Sequence, residues 1–380
     1  MDKNLNVLIS GNSLGGGGAE RVMAVIANEL ARKGHNVHII CITRDSEYYT
    51  EDSVNKIYID KLINLKNSNN SILSLPYFIR NEYQIYKLYK KAIKEVKPDV
   101  VVSFTRAGWW ELLYLCRKKI PLVFSEHTTF CLTKERKSLR DSVQKRFLKY
   151  GDAVTVLTKY DYDYLGGQLP NKVVMYNPLS FEPLNELEYR STYEKRKNLF
   201  ACGRVGDWHT KGFDNLIKSF GMIASKHLGW DLDIAGWGKK EDEDYLYSIA
   251  DKYNIRNRIH FLGFRNDVEE LMKTHSILIM SSRSEGFPMS LTEAMSMGCP
   301  PVSFDIVTGP REIINNGIDG IIVENQNCEA LALGMERMIV DEEFRKEAGL
   351  NAIRNIKRFS AEYICTQWEN LFYNLLEQRR

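Results

Sequence analysis

The amino-acid sequence predicts an α/β protein with two doubly wound domains, each a parallel sheet covered by helices on both faces. Short strands rich in valine and isoleucine alternate with amphipathic helices, which is the pattern of βαβ units. The alternation begins near residue 7 and begins again near residue 198, after a charged stretch. A length of 380 residues also suits two domains of roughly 150–200 residues better than one.

The first half opens with a strand, a glycine-rich loop and a helix. Val22, Ile26 and Leu30 repeat at helical spacing, and Gly34 ends this helix. The strands predicted in this half cover residues 7–10, 36–42, 99–104, 121–125 and 153–157, and the helices cover residues 19–33 and 83–96.

The second half repeats the arrangement and ends in an amphipathic segment. Ile364, Trp368 and Phe372 follow helical spacing, so we expect a terminal helix that returns to the first domain. The predicted strands here cover residues 198–202, 232–235, 259–262, 277–280, 301–304 and 320–323, with a helix at 213–226. We therefore divide the chain into a first domain (1–178), a linker (179–197), a second domain (198–359) and the terminal helix (360–380).

Composition and charge indicate a cytoplasmic protein. No segment approaches the ~18 apolar residues of a membrane-spanning helix, and no signal-peptide pattern opens the chain. The seven cysteines are scattered without a C-x-x-C pair, which argues against disulfides or a zinc site. The net charge of +3 combines +9 in residues 1–180 with −6 in the remainder. This asymmetry indicates different partners for the two halves, or simple variation along a solvated surface.

Two glutamates eight positions apart follow a predicted buried strand of the second half. Glu293 together with Ser290 fits an S-x-x-E capping box, which would give it a purely structural role. Glu285 lies beside Gly286 at the carboxyl end of the strand, where backbone amides and a helix N-terminus favour a phosphate group. A carboxylate in this position stands near a diphosphate and can accept hydrogen bonds from sugar hydroxyls.

Glu285 and Glu293 resemble the E-x7-E signature of the family 4 retaining glycosyltransferases, whose GT-B fold has two Rossmann-like domains. Further motifs carry the same resemblance, in the same order, over nearly the whole chain. They are GGGAERV from residue 16, GRV from 203 with KGFDNLI from 211, IAGWG from 234, EAMSMGCPPV from 293 and TGPREII from 308. The resemblance implies a GT-B protein with its active site in the cleft between the two domains.

The resemblance also implies a nucleotide-sugar donor, with UDP favoured over GDP by family frequency. Glu285 would contact the sugar hydroxyls, and Glu293 the ribose of the nucleotide. Arg204 and Lys211 would hold the diphosphate and stabilise its charge as it leaves, unless they are merely solvated loop charges. His127 resembles the family histidine beside the reaction centre, although a lone histidine is more often structural. The other donor-binding residues implied are Gly16, Gly17, Arg265, Gly286, Phe287, Pro288, Met289 and Ser290.

We expect neither a metal nor another cofactor. Three D-x-D pairs begin at Asp161, Asp231 and Asp242, and none is predicted at the carboxyl end of a strand, so we interpret them as surface charges. Retention without a nucleophile on the opposite face of the sugar favours front-side attack. The acceptor hydroxyl would then enter as the diphosphate departs, and a departing phosphate oxygen would take its proton.

Two stretches of the first half, residues 77–97 and 134–149, combine basic and aromatic side chains. They are either solvated helix faces or a peripheral contact with the anionic inner face of the cytoplasmic membrane. The resemblance is strongest to enzymes that extend lipid-linked oligosaccharides or surface polysaccharides, which implies such an acceptor. No nucleic-acid-binding module accompanies the charge, so we expect no nucleic acid partner.

Three other interpretations remain open. A nucleotide-sugar epimerase can share the two-domain architecture, and a non-catalytic protein can bind a nucleotide-sugar without turning it over. An NAD-dependent oxidoreductase would use Asp45 to bind ribose, but the glycine spacing after the first strand does not fit G-x-G-x-x-G.

Overall fold

A computed structural model describes residues 4–44, 47–58, 74–104, 120–130, 148–193 and 197–379 of the chain. These residues divide into two compact units, Met1–Ser180 with Ala361–Arg380, and Phe181–Ser360. Each unit contains one sheet whose strands pair in parallel. None of the helices described is both long enough and apolar enough to cross a bilayer. Residue 45 and residues 134–147, which carry two of the sequence-based interpretations, lie outside the described residues.

The first unit has a seven-stranded sheet in the order β3-β2-β1-β4-β5-β6-β7. Its strands are β1 (Asn6–Gly11), β2 (Asn36–Cys41), β3 (Asn55–Tyr58), β4 (Val100–Phe104), β5 (Leu122–Ser125), β6 (Ala153–Val156) and β7 (Lys172–Val174). Among the described residues of this unit, the helices between the strands are α1 (Gly18–Arg32), α2 (Ser74–Val96) and α3 (Lys159–Leu165). Buried strand residues such as Leu8 and Val101 share a core cluster with Tyr89 and Ile93 of α2, which explains why the amphipathic α2 covers this face.

The second unit has a six-stranded sheet in the order β10-β9-β8-β11-β12-β13. Its strands are β8 (Lys197–Cys202), β9 (Leu232–Ala235), β10 (Ile259–Gly263), β11 (His275–Met280), β12 (Pro301–Phe304) and β13 (Ile321–Val323). Its helices are α4 (Glu186–Tyr193), α5 (Trp208–Lys211), α6 (Phe213–Ile223), α7 (Lys240–Asp251), α8 (Val268–Thr274), α9 (Met289–Ser296), α10 (Pro310–Ile313), α11 (Cys328–Val340) and α12 (Glu342–Ile356).

The last helix, α13 (Ala361–Gln378), packs against α1 in the first unit. Glu369 of α13 pairs with Lys33 at 2.8 Å and with His35 at 2.9 Å, and Trp368 is buried. The prediction of two doubly wound α/β domains with a C-terminal helix is confirmed. The cleft predicted between the domains stays a prediction.

The stretch expected as a linker holds a helix of the second unit. Tyr189 and Tyr193 of α4 donate hydrogen bonds from their hydroxyls to backbone carbonyls of α12, at 3.0 and 3.3 Å. Tyr189 is fully buried. A charged sequence therefore folds as a helix here because two aromatic side chains on one face pack against the domain.

The two sheets share one feature that locates a site. In each sheet the order reverses beside the first strand, between β1 and β4 in the first unit and between β8 and β11 in the second. Ligands of doubly wound sheets bind beyond the carboxyl ends of the strands at such a switch point. The loops after β1, β8 and β11 are therefore expected to carry the ligand-binding residues.

Candidate active site

A cation and a carboxylate meet at the carboxyl edge of the second sheet. The Nζ atom of Lys211 donates to Oε1 of Glu285 at 2.8 Å, and the hydroxyl of Ser282 donates to the same oxygen at 2.7 Å. The side chains of Lys211 and Glu285 are 26% and 16% exposed, so both remain accessible while much of their surface is withdrawn from water. The hydroxyl of Thr308 donates to the carbonyl oxygen of Glu285.

The Lys211 segment reaches Glu285 because glycine permits a close approach. Gly212 has φ +68°, and a Cβ there would overlap the carbonyl oxygen of Ser281 at the end of β11. The hydroxyl of Ser281 donates to the carbonyl of Lys211 at 3.0 Å. Glycine is thus required both for the left-handed backbone and for the contact between the two segments.

Arg204 lies next to this pair on the loop that follows β8. A Cβ on the preceding residue, Gly203, would lie 3.1–3.3 Å from the aliphatic carbons of Lys211, so the lysine side chain crosses the backbone at Gly203. Arg204 is exposed. The structure therefore brings Lys211 and Glu285 into direct contact and places Arg204 beside them, at one edge of one sheet.

Glu293 is buried within α9 at 5% exposure. The capping-box interpretation of Ser290 and Glu293 is wrong, because the helix begins at Met289 and Ser290 is already its second residue. The N-cap residue is Pro288, and among the described residues no side chain caps this helix end. No side chain of the described residues therefore occupies the first backbone amides of this helix, and an anion can bind there.

The other predicted donor-binding residues of this unit lie in different surroundings. Phe287 is buried, with its ring 5.4 Å from that of Phe359, so its side chain belongs to the core. Pro288 is buried against Gly309. Gly286 and Met289 are partly exposed beside Glu285 and at the start of α9. Arg265 follows β10, is exposed and pairs with Asp267 at 2.7 Å.

In the first unit, His127 lies two residues beyond β5. Its Nε2 atom is 2.9 Å from the hydroxyl oxygen of Ser125, and its ring stacks on Phe104 at a centroid distance of 4.8 Å. Burial lowers the pKa of His127 to about 4, against a smaller opposite effect of a hydrogen bond with Asn177. The imidazole is therefore neutral near pH 7 and can act as a hydrogen-bonding group without carrying a charge.

Gly16 and Gly17 lie at the start of α1, as the glycine-rich loop predicted. Gly16 has φ +94° with open space around its α-carbon, and Gly17 is the N-cap residue of α1. The carboxylate of Glu20, in the first turn of α1, lies against Gly17. This helix N-terminus therefore already has a negative charge beside it.

The surface-charge interpretation of the D-x-D pairs is wrong for Asp161. Asp161 is buried at 1% exposure and accepts hydrogen bonds from the hydroxyls of Thr129 and Thr158 and from the backbone of Phe130, at 2.8–2.9 Å. Asp231 pairs with Arg258 and His260 at the amino end of β9. The carboxylates of Asp161 and Asp231 therefore bind other groups of the protein.

Sequence reasoning missed the residues that hold Glu285 in place. Thr308 stands inside a recognised motif and Ser282 lies three residues before Glu285, but nothing in their spacing indicates that both would bond to Glu285. Arg283 and Asp214 form a bidentate pair beside it, at 2.8 and 2.9 Å. The signal that could have found this pair is the aspartate of the KGFDNLI motif together with the arginine two residues before Glu285.

The fold and this site define the class of GT-B glycosyltransferases. A similar solved structure is a TarM variant from S. aureus crystallised in a complex that includes UDP, with a TM-score of 0.78 at 14% identity over 96% of this chain and 99% of that one. The family model for Glycosyltransferase Family 4 matches residues 16–180, and the model for Glycosyl transferases group 1 matches residues 188–355. The chain therefore consists of a Glycosyltransferase Family 4 domain followed by a Glycosyl transferases group 1 domain, and it belongs to the glycosyltransferases.

Two curated relatives cover almost the full chain at 26% identity. One is the amylovoran biosynthesis glycosyltransferase AmsD of Erwinia amylovora, similar over 97% of this chain and 99% of its own length. The other is the GalNAc-alpha-(1->4)-GalNAc-alpha-(1->3)-diNAcBac-PP-undecaprenol alpha-1,4-N-acetyl-D-galactosaminyltransferase of Campylobacter jejuni, similar over 94% of this chain and 96% of its own length.

Proposed function

We propose that this glycosyltransferase moves a hexose or N-acetylhexosamine from a UDP-sugar to a lipid-linked oligosaccharide or polysaccharide acceptor, with retention of configuration. The observation that carries the proposal is the 2.8 Å contact of Lys211 with Glu285 at the switch point of the second sheet. The UDP in the TarM complex supports the nucleotide, and the names of the two relatives support the acceptor class.

Lys211 and Arg204 would stabilise the departing diphosphate. Two cations in the segment that follows β8, together with the N-terminus of α9 four residues after Glu285, offer fixed positive charge to a group that gains negative charge during the reaction. No proton transfer to the leaving group is needed for this stabilisation. Glu293, buried one turn into α9, would bind the ribose.

Glu285 would bind the hydroxyls of the transferring sugar. Its Oε1 atom already accepts two hydrogen bonds from the protein, so its second oxygen is the one left for a ligand hydroxyl. The neutral His127 would bond to the sugar from the first unit without adding charge. With no second carboxylate assigned as a nucleophile, the acceptor hydroxyl would attack from the side the diphosphate leaves, and a phosphate oxygen would take its proton.

A donor screen tests the proposal. The protein is incubated with UDP- and GDP-linked hexoses and N-acetylhexosamines, and release of free nucleoside diphosphate is measured. We expect UDP release from one UDP-sugar, and NMR of the freshly formed sugar should show the donor's anomeric configuration. Release of GDP alone would contradict the choice of UDP, and an inverted product would contradict retention of configuration. Conversion to an epimeric nucleotide-sugar would instead identify an epimerase.

We also propose that the chain contacts the inner face of the cytoplasmic membrane through α2. Lys87, Lys91, Lys94 and Lys97 are exposed there, together with Tyr83 at 48% exposure. Cations near an anionic surface each add about 1 kcal/mol of attraction. Flotation with vesicles containing phosphatidylglycerol should recover the protein at moderate salt, and neutral vesicles should not. Equal recovery from both would contradict an electrostatic contact.

A further inference from the structure

Two segments of the second unit interlock beside Glu285. We call residues 209–215 the Lys211 segment and residues 281–288 the Glu285 loop. The backbone N–H of Arg283 donates to the carbonyl of Thr210 at 2.8 Å, which joins the two segments through their main chains. Two sets of side chains then brace the Glu285 loop from α6.

The first brace is the ion pair of Arg283 with Asp214. Both guanidinium NH groups donate to the carboxylate, at 2.8 and 2.9 Å, which fixes orientation as well as distance. Asp214 is only 6% exposed. Burial alone would raise the pKa of Asp214, but the hydrogen bonds and charge of Arg283 outweigh burial and lower it, so both partners stay charged.

The second brace passes through Gln326. The side-chain amide of Asn215 donates to Oε1 of Gln326 at 2.9 Å, and Nε2 of Gln326 lies 3.4 Å from the carbonyl oxygen of Ser282. Gln326 has φ +60°, a left-handed conformation that is unfavourable for a non-glycine residue. Such backbone strain is often found at active sites, where surrounding contacts hold a residue in an unfavourable conformation.

The two braces join consecutive residues on each side. Asp214 and Asn215 are the second and third residues of α6, which begins directly after Gly212. Asp214 pairs with Arg283, and Asn215 reaches Ser282 through Gln326. Ser282 in turn donates its hydroxyl to Glu285 at 2.7 Å. The braces therefore fix the residue that orients the Glu285 carboxylate.

We propose that Arg283, Asp214 and Gln326 are positioning residues that hold the Glu285 carboxylate in register with Lys211. The inference rests on the proposed function of the Lys211–Glu285 pair. These three side chains lie behind the pair and act on the reaction through it. Misplacing a reacting group by about 1 Å can cost 10²-fold in rate, so removing the ion-pair brace should lower kcat about 10- to 100-fold.

The test compares Arg283→Gln, Asp214→Asn and the double variant with a matched control. Asp231→Asn removes the carboxylate of another aspartate–arginine pair in the same unit, at the amino end of β9 and away from the site. We expect both brace variants to lose kcat with little change in KM for the donor and unchanged UDP binding. The double variant should lose no more than either single variant, because the pair acts as one unit. Gln326→Ala should show a smaller loss of the same kind.

Hydrogen exchange of the Glu285 loop gives a readout that does not depend on turnover. Amides of residues 281–287 should exchange faster in Arg283→Gln than in the wild type, and at wild-type rates in Asp231→Asn. A kcat equal to that of the control, or a parallel loss of UDP binding and melting temperature, would overturn the inference while the proposed function stands. If the wild type turns over no donor, the proposed function fails, and unchanged exchange in Arg283→Gln would overturn the brace as well.

Discussion

The two units share one strand topology, but the loops at the carboxyl edges of their two sheets carry different side chains. Both place the first strand where the strand order reverses, and both follow it with a glycine-containing loop. In the second unit this loop leads to Arg204 and Lys211, and Lys211 pairs with Glu285. In the first unit the loop between Gly11 and Gly18 contains no cation in its sequence, and the nearest charge at the helix end is the carboxylate of Glu20.

This comparison separates what a fold determines from what a loop determines. The switch point determines where a ligand lies, because loops diverge there and leave a crevice. The side chains on those loops determine which ligand binds. A helix N-terminus with Glu20 beside it does not favour a diphosphate, whereas Arg204 and Lys211 do. Assignment of the diphosphate to the second unit therefore rests on charge, since the strand orders alone do not distinguish the two edges.

The largest expected effect is that of Glu285→Ala. Loss of the carboxylate removes the proposed contact with the sugar and leaves Lys211 without its 2.8 Å partner. Transfer should fall by about 10³-fold or more while the fold remains intact. Initial rates and far-UV circular dichroism measure the two parts. Glu241→Ala, which removes an exposed carboxylate of α7, is the control, and full activity in Glu285→Ala would refute the assignment.

Lys211→Met should be next in size. It keeps the length of the side chain but removes the charge, so UDP binding should weaken and transfer should fall by about 10²–10³-fold. Calorimetry with UDP and initial rates check this. Lys240→Met, at an exposed position of α7, should change neither quantity. Undiminished UDP affinity in Lys211→Met would move the diphosphate away from this edge.

Two glycines test whether the two loops differ in packing as well as in charge. Gly212→Ala places a Cβ against the carbonyl oxygen of Ser281 in a left-handed backbone and should cost about 3 kcal/mol of stability. Gly16→Ala meets open space and should cost only the backbone strain, about 1–2 kcal/mol. Urea midpoints measure both. Equal losses would show that the two loops are constrained alike.

His127 should make stability depend on pH. Its pKa is about 4 when folded and about 6.5 when unfolded, so the unfolded chain alone binds the proton as pH falls through this window. Stability should therefore fall by about 2 kcal/mol between pH 7 and pH 5 because of His127. His127→Asn should lose this part of the pH dependence. Urea unfolding of both proteins at the two pH values checks the prediction, which an unchanged difference would contradict.

The smallest expected effect is that of removing divalent cations. The proposed stabilisation of the diphosphate comes from Arg204, Lys211 and the end of α9, so EDTA should leave the rate of UDP release unchanged. Activity lost in EDTA and restored by magnesium or manganese would show that stabilisation of the diphosphate in the second unit needs a metal ion in addition to Arg204 and Lys211.

The sequence predicted the central strands of both sheets and the edge strands of the second sheet, but it missed both edge strands of the first sheet. Strands such as β8 and β11 are buried and carry apolar runs, so their pattern is visible. The edge strands β3 and β7 are short and partly exposed, and both went unpredicted. Helix α2 begins at Ser74, well before the predicted start at residue 83.

The sequence by itself determined the two α/β domains and the motifs, because periodicity and spacing are properties of the chain, and the resemblance of those motifs to a family supplied Lys211, Glu285 and His127 as candidates. Only the tertiary structure decided how these residues act together. Lys211 and Glu285 are 74 positions apart, and their contact exists because β8 and β11 pair and Gly212 allows a close approach. Burial, which makes His127 neutral, is likewise a consequence of packing that no local pattern records.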